Sequence, residues 1–344
     1  MKIKTMIKID GSSGEGGGQV LRSSLSLSMV TGQPFTIENI RAGRKKPGLM
    51  RQHITCVRAA AQICGATVTG DEIGSQFVTF EPDKIRTGDY EFQIGTAGST
   101  VLVAQTILPA LMLADGPSTV QFKGGTHTKQ APSYDFFTDS FLPQLRKMGV
   151  GVEASLIRRG FYPAGGGQWS MTVDPVRVLE PLDLITRGDL KTLKANAIKA
   201  QIYKDITGRE LKIAMARLGI EPQYAIEIDD RNTDGPGNSF WIAAEHANVT
   251  EIFTCHGELG VSAENVAKRA CKDADRYLKR SLAAVGPYLA DQLLLPMVLA
   301  GKGSFTTLRP SLHTTTNIDT IKSFVDIVIS LDEMSDGIWQ VKVG

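Results

Sequence analysis

Apolar residues recur at helical spacing along several stretches of the chain, whereas elsewhere they alternate with polar residues. The helical spacing predicts helices over residues 19–30, 47–65, 101–114, 135–148, 208–218 and 263–282. The alternation predicts strands over residues 66–70, 76–81, 190–203, 224–228, 239–245, 250–255 and 304–307. Residues 1–10 are short, alternating and charged, which favours a first strand over a signal peptide. The two interleaved patterns predict an α/β (α+β) protein.

Glycine-rich turns separate the predicted strands and helices at four points. The first turn holds five glycines in the eight residues 11–18, and later turns occupy residues 94–100, 124–132 and 161–168. The last turn repeats the Gly-Gly-Gly-Gln sequence of residues 16–19. The recurring order of strand, glycine turn and helix predicts internal duplication of a β-α-β-α-β-β unit. From about residue 187 the chain becomes more polar and richer in lysine, which predicts a small inserted α/β unit.

Composition narrows the class of protein and of ligand. The 344 residues are 42% hydrophobic and 22% charged, as in ordinary soluble globular proteins, and no apolar run reaches the roughly 18 residues of a membrane span. The net charge is only +2, yet residues 1–69 carry ten Lys or Arg and three Asp or Glu. This asymmetry favours a local anionic ligand over a long nucleic-acid-coating surface. The four cysteines lack Cys-x-x-Cys spacing, which predicts free thiols in a reducing, intracellular compartment.

The first glycine turn and the basic loop after the next strand have the chemistry of a phosphate site. A glycine loop before a helix offers free N–H groups and the positive end of the helix dipole. Arg22 lies in the first turn of the predicted helix, and four more cations follow at Arg41, Arg44, Lys45 and Lys46. Gln19 breaks the dinucleotide fingerprint, and no Gly-Lys-Ser/Thr sequence provides a Walker loop. The alternative is a turn-rich hairpin with a solvated basic loop.

Three further polar positions stand out against apolar surroundings. Gln105 interrupts an apolar helix, where it is either a satisfied core amide or a ligand contact. Tyr288 and Asp291 lie one helical turn apart and could face one pocket, although an acidic helix start explains them equally. His313, among threonines between a predicted strand and a helix over 318–324, could be a nucleophile, a base, a metal ligand or a structural imidazole. The sequence contains no His/Cys cluster with the spacing of a structural zinc site.

Five separated segments, taken together, resemble the RNA 3′-terminal phosphate cyclase family in the family's order over nearly the full chain. They are residues 14–22, 41–53, 161–167, 288–292, and His313 with 316–318. The resemblance implies a large catalytic domain of three β-α-β-α-β-β repeats, formed by residues 1–185 and 284–344. It also implies a small inserted α/β domain over residues 186–283.

The resemblance further implies a ligase that converts an RNA 3′-phosphate to a 2′,3′-cyclic phosphodiester at the expense of ATP. His313 would attack the α-phosphorus to form covalent histidine–AMP, and AMP would pass to the RNA end to form RNA(3′)pp(5′)A. Attack by the vicinal 2′-hydroxyl would then release AMP. We expect RNA with a 3′-phosphate end as the partner, no membrane association, and a cytoplasmic location, or a nuclear one if the source is eukaryotic. A homodimer is among the expected assemblies.

The resemblance also implies roles for individual side chains. Glu15 would bind Mg²⁺ or Mn²⁺ beside the triphosphate. Tyr288 and Pro132 would sandwich the adenine base in an adenosine pocket that also includes Gln105, Leu289, Ala290, Asp291 and Gln292. The RNA terminal phosphate would be held by Arg22, Arg41, Arg44 and Gln52.

Three other kinds of protein share part of this pattern. A cyclase-like ribosome-biogenesis factor shares the fold but lacks the nucleophile, so His313 in its context argues against it. The enolpyruvyl transferases resemble the repeat architecture but do not account for His313 or for residues 288–292. A generic nucleotide-binding protein leaves the basic segment 41–52 unexplained.

Overall fold

A computed structural model describes residues 5–280, 282–334 and 337–344. Its helices are α1 (Gly18–Thr31), α2 (Arg51–Cys64), α3 (Thr100–Leu111), α4 (Tyr134–Phe136), α5 (Leu142–Lys147), α6 (Thr207–Leu218), α7 (Ala263–Arg280), α8 (Pro287–Leu299) and α9 (Leu312–Lys322). A π-helical turn, Phe137–Phe141, joins α4 to α5, and a short 3₁₀ turn covers Pro222–Tyr224.

The strands alternate with these helices along the chain. They are β1 (Ile7–Asp10), β2 (Phe35–Glu38), β3 (Thr67–Thr69), β4 (Val78–Glu81), β5 (Gly88–Gln93), β6 (Ser118–Gly124), β7 (Gly151–Arg158), β8 (Gly167–Asp174), β9 (Leu182–Leu184), β10 (Leu190–Ala200), β11 (Ala225–Asp230), β12 (Gly237–His246), β13 (Thr250–His256), β14 (Gly303–Leu308), β15 (Ile329–Glu333) and β16 (Ile338–Val343).

Three four-stranded sheets repeat one topology. Their strand orders are β1-β2-β4-β3, β5-β6-β8-β7 and β9-β14-β16-β15, so the same order recurs in each. In every sheet the first two strands run parallel and the remaining pairs run antiparallel. A parallel pair requires a crossover, and α1, α3 and α8 supply it in the three units. The predicted three-fold β-α-β-α-β-β repeat is therefore confirmed.

The crossover helices α1 and α3 pack against each other, and α9 packs against both α1 and the third crossover helix, α8. Helix α1 contacts α2, α3 and α9, and its apolar residues Leu21, Leu25 and Leu27 are fully buried. The same helix buries serines, and Ser26 Oγ donates to the carbonyl oxygen of Thr106 on α3 at 2.7 Å. Such small side chains let the backbones of two helices approach closely, which brings their polar N-terminal turns near each other.

The fourth sheet, β11-β10-β12-β13, lies in the chain between β9 and α8. One face packs against α6 and α7 around a core of its own, and the other face contributes Ile198, Trp241 and Ile252 to the main core. At this junction the buried Glu251 accepts a hydrogen bond from the Gly286 N–H at 2.7 Å, and burial raises its pKa to about 8. That residues 186–283 form a separate domain stays a prediction.

Two local features differ from the sequence-based expectation. Helix α9 begins at Leu312 and not at residue 318, because Ser311 Oγ caps it by accepting from the Thr314 N–H at 3.2 Å. His313 therefore lies in the first turn of a helix, not in the loop before one. The segment expected to be one helix over 135–148 contains the π-helical turn. All four cysteines are free, as predicted, and within the described ranges we find no helix long and apolar enough to cross a membrane.

Candidate active site

The polar N-terminal turns of three helices meet around one cleft. Helices α1, α8 and α9 line it with Gln19, Asp291 and Asn317, which lie in the first or second turn of their helices, and α3 closes the side with Gln105. The cleft encloses a cavity of about 80 Å³ that opens to solvent. Of the residues predicted to bind ligands, it is lined by Arg22, Gln105, Asp291 and Gln292.

His313 is linked to Asp291 through the side-chain amide of Gln19. The His313 Nδ1–H donates to Gln19 Oε1 at 2.9 Å, and Gln19 Nε2 donates to Asp291 Oδ2 at 3.0 Å. Because the amide nitrogen of Gln19 donates to Asp291, the amide oxygen faces the imidazole. The imidazole is then the tautomer with the proton on Nδ1, which leaves the lone pair on Nε2 free.

The charges around His313 keep its imidazole neutral. Burial lowers the pKa of His313, and the neighbouring cations Arg22 and Arg44 lower it further. Burial raises the pKa of Asp291 to about 7, although the cation Arg22 and the hydrogen bond from Gln19 oppose the rise. A neutral imidazole with an unprotonated Nε2 is a competent nucleophile near neutral pH.

Glu15 lies at the tip of the first glycine turn and is ion-paired with Arg44. Arg44 Nη2 also donates to the main-chain oxygen of Glu15 at 3.2 Å, while the Glu15 N–H donates to Thr316 Oγ1 on α9 at 2.9 Å. The Glu15 carboxylate packs where a side chain on Gly17 would otherwise lie. The turn therefore holds one carboxylate beside the helix that carries His313.

A single carboxylate fits Mg²⁺, which is commonly bound by one or two carboxylates together with substrate phosphate oxygens. Among the residues described, no group of three or more His, Cys, Asp or Glu side chains could hold a metal ion by itself. Glu15 therefore suits a metal that arrives with a phosphate ligand, and it does not suit a fully protein-bound structural metal.

Arg22 is a half-buried cation that makes no hydrogen bond or ion pair with any residue in the described ranges. A side chain on Gly18 would lie 2.8 Å from Arg22 Nη1 and 2.6 Å from His53 Nε2, so glycine is needed for both to approach. His53 Nδ1 accepts from the Met50 N–H at 3.0 Å, and burial, with Arg22 and Arg41 nearby, lowers its pKa to about 3. An unpaired guanidinium beside a neutral imidazole is an anion-binding arrangement.

Two of the other predicted phosphate ligands hold loops in this structure. Arg41 Nη1 donates to the carbonyl oxygens of Lys46 at 2.8 Å and of Gly48 at 2.6 Å, so it closes its own basic loop. Gln52 Oε1 accepts from the Ser99 N–H at 3.0 Å, which ties α2 to the second glycine turn. Neither residue is among those that line the cleft.

The residues predicted to bind adenosine divide into two groups. Gln105 Nε2 donates to Gln292 Oε1, whose own amide donates to the Tyr288 carbonyl oxygen at 2.9 Å. Tyr288 is 63% exposed, whereas Leu289 and Ala290 are buried and belong to the hydrophobic core. Pro132 lies half-buried in the third glycine turn, and neither it nor Tyr288 is among the lining residues of the cleft.

Sequence reasoning missed the side chains that hold the cleft together. Gln19 served only to exclude the dinucleotide fingerprint, yet it contacts both His313 and Asp291. Asn317 Nδ2 donates to the Asp291 carbonyl oxygen at 2.8 Å, and Ser23 Oγ donates to Asn317 Oδ1 at 2.7 Å. Their spacing could have identified them, because residues four apart lie on one helical face. Gln19 and Ser23 have this spacing, and so do His313 and Asn317.

Comparisons with known proteins support the family resemblance of the sequence. The family model for RNA 3′-terminal phosphate cyclase matches residues 13–331. The RNA 3′-terminal phosphate cyclase of Koribacter versatilis (strain Ellin345) is 50% identical over 328 residues, which cover 95% of this chain and 92% of that protein. The match includes every helix that contributes to the cleft, and the chain belongs to the RNA 3′-terminal phosphate cyclase family.

Proposed function

We propose that this protein is an ATP-dependent RNA 3′-phosphate cyclase in which His313 is the adenylylated nucleophile. The observation that carries the proposal is the chain of hydrogen bonds from Asp291 through Gln19 to His313 Nδ1, in a member of this family. That chain leaves Nε2 unprotonated and gives the imidazole one fixed orientation. Both properties are required of a histidine that attacks phosphorus.

In the first step His313 Nε2 attacks the α-phosphorus of ATP and pyrophosphate leaves. The Nδ1 proton stays on the ring, where Gln19 Oε1 accepts its hydrogen bond. Arg22 has no partner of its own within the described ranges, so its charge is available to the phosphates. The Glu15 carboxylate, at the tip of the glycine turn, would hold a divalent ion. When bound there, that ion would neutralise negative charge on the phosphates.

In the second step a 3′-phosphate oxygen of RNA attacks the phosphorus of histidine–AMP, which frees the imidazole and forms RNA(3′)pp(5′)A. The vicinal 2′-hydroxyl then attacks the 3′-phosphorus, and AMP leaves as the 2′,3′-cyclic phosphate forms. We assign the RNA phosphate to Arg22, Arg44, Arg41 and Gln52, and the adenosine to Gln105, Pro132, Tyr288, Leu289, Ala290, Asp291 and Gln292. The hydrogen bond between Gln105 and Gln292 supports an amide-lined edge of the adenosine pocket.

The test is self-adenylylation without RNA. The purified protein is incubated with α-labelled ATP and Mg²⁺ or Mn²⁺, then denatured, and the label on the protein is counted. We expect acid-labile, alkali-stable label that is lost in His313→Ala and kept in Leu312→Ala, a matched control because Leu312 is the 59% exposed neighbour in the same turn. Absence of label in the wild-type protein with either metal would refute the nucleophile assignment.

A further inference from the structure

The fourth glycine turn presents an aromatic ring to solvent on a fixed backbone. Tyr162 is 76% exposed, whereas the preceding Phe161 is only 4% exposed and anchors the turn in the core. The Gly165 N–H donates to the Phe161 carbonyl oxygen at 2.7 Å, and Arg158 Nε donates to the Gly166 carbonyl oxygen at 2.8 Å. A tyrosine held in this way loses little further conformational entropy when another ring stacks on it.

The fourth glycine turn packs directly on the second glycine turn, and the second glycine turn packs on Gln52. A side chain on Gly165 would lie 2.8 Å from the Thr96 carbonyl oxygen, so the two backbones are in contact. On the other side, a side chain on Gly98 would lie 3.0 Å from Gln52 Cβ. One backbone layer, residues 95–99, therefore separates the turn of Tyr162 from the residue assigned to the RNA terminal phosphate.

The exposed surface of that layer carries a free cation. Arg51 precedes Gln52 at the start of α2, is exposed, and has no ion pair or side-chain hydrogen bond within the described ranges. Its Nη1 lies 3.9 Å from where a side chain on Gly95 would begin. An aromatic ring and an unpaired guanidinium beside a phosphate site are the elements of a single-strand nucleic-acid surface.

We infer that Tyr162 is a stacking platform for a nucleobase in the last three nucleotides of the RNA, and that the substrate end must be single-stranded to use it. The inference rests on the proposed function, because it takes the terminal phosphate to lie at Arg22, Arg44 and Gln52. Stacking is tolerant of base identity, since every base has a π-face, so the platform selects unpaired ends without selecting sequence.

The test measures RNA affinity and catalysis separately. A single-stranded oligoribonucleotide with a 3′-phosphate and a 5′ fluorophore is titrated with the wild-type protein, Tyr162→Ala and Tyr162→Phe, and the Kd is read by anisotropy. We expect Tyr162→Ala to raise the Kd about tenfold and Tyr162→Phe to restore it, because the phenyl ring keeps the stacking face. Self-adenylylation without RNA stays at the wild-type rate in both variants.

Tyr203→Ala is the matched control, because Tyr203 is a fully exposed tyrosine on the loop after β10. We expect its Kd to equal that of the wild-type protein. A second arm replaces each of the last three nucleotides in turn by an abasic one. At the stacked position the wild-type protein loses affinity about tenfold, and Tyr162→Ala loses no more, since the partner ring is already gone.

The outcomes separate this inference from the function it rests on. If the wild-type protein forms no histidine–AMP, the proposed function fails. If it forms histidine–AMP and cyclises RNA while Tyr162→Ala binds RNA normally, the platform is refuted. Loss of self-adenylylation in Tyr162→Ala, or equal weakening in Tyr203→Ala, would also refute it.

Discussion

The sequence Gly-Gly-Gly-Gln occurs twice, at residues 16–19 and 165–168, and the two copies do different work. In the first copy Gly17 and Gly18 make room for polar side chains, since a side chain on Gly17 would meet the Glu15 carboxylate and one on Gly18 would meet His53 and Arg22. In the second copy Gly165 and Gly167 make room for main chain, since a side chain on Gly167 would lie 2.7 Å from the Gly124 carbonyl oxygen and the Gly160 nitrogen, while Gly166 makes room for the Asp234 carboxylate.

The two glutamines differ in the same way. Gln19 is the second residue of α1, is 7% exposed, and bridges His313 and Asp291. Gln168 is a half-buried strand residue of β8, opposite Lys123 of β6 and Arg158 of β7. Identical local sequences therefore make different contacts, which depend on the repeats packed against them. The third repeat supplies both His313 and Asp291 to the first copy.

The sharpest way to break the comparison is to add one methyl group to each copy. In Gly18→Ala the added methyl group would push away the side chains of His53 and Arg22. We expect the rate of RNA cyclisation to fall about 10²-fold, as when an active-site group is displaced by roughly 1 Å. Its free energy of unfolding should change little, because Gly18 is helical and alanine favours helix by about 1 kcal/mol.

Gly167→Ala is the counterpart and should show the opposite pattern. Here the methyl group meets backbone atoms of two neighbouring segments, so we expect about 2 kcal/mol or more of lost stability from overpacking. Urea denaturation gives the free energy of unfolding, and the rate per folded molecule should stay near the wild-type value. Equal effects of the two substitutions on both quantities would contradict the distinction between the copies.

A smaller effect is expected from the glutamines. Gln19→Ala removes the acceptor that fixes the His313 tautomer, so we expect self-adenylylation to slow about tenfold, the lower range for groups that orient a functional imidazole. Gln168→Ala is the matched control and should leave the rate unchanged. If Gln19→Glu restores the rate, the acceptor at Nδ1 is the required feature, and if all three variants label normally the hydrogen-bond chain has no role in the chemistry.

The smallest expected effect is a shift in the pH dependence of self-adenylylation. Only the first copy is expected to influence it, because only that copy contacts His313. Burial, Arg22 and Arg44 lower the pKa of His313, so the nucleophile should stay deprotonated at pH values slightly below the ordinary histidine pKa of about 6.5. The rate of self-adenylylation should therefore fall only below that point as the pH decreases. Arg44→Ala removes one positive charge and should move the fall to higher pH, whereas the rate of Gln168→Ala should follow the wild-type profile.

Much of the fold was predictable because hydrophobic spacing records local structure. The helix over residues 19–30 is found as α1 (Gly18–Thr31), and the strand over 250–255 as β13 (Thr250–His256). The first turn of α9 was missed, since three consecutive threonines disfavour a helix and only the Ser311 cap and burial of Thr314 and Thr316 outweigh that preference. The start of the first strand falls partly on residues 1–4, which lie outside the described ranges.

The family resemblance implied three repeats, whereas the sequence by itself determined the strongly periodic helices and strands, the duplication of a β-α-β-α-β-β unit, the free thiols and the types of residue that suit phosphate chemistry. It did so because these depend on local periodicity and on side-chain chemistry. Only the tertiary structure decided which polar residues meet, since Gln19 lies hundreds of residues from both Asp291 and His313 and is brought to them by the packing of α1, α8 and α9. The tautomer of His313 and the different roles of two identical glycine segments follow from that packing, which no local pattern encodes.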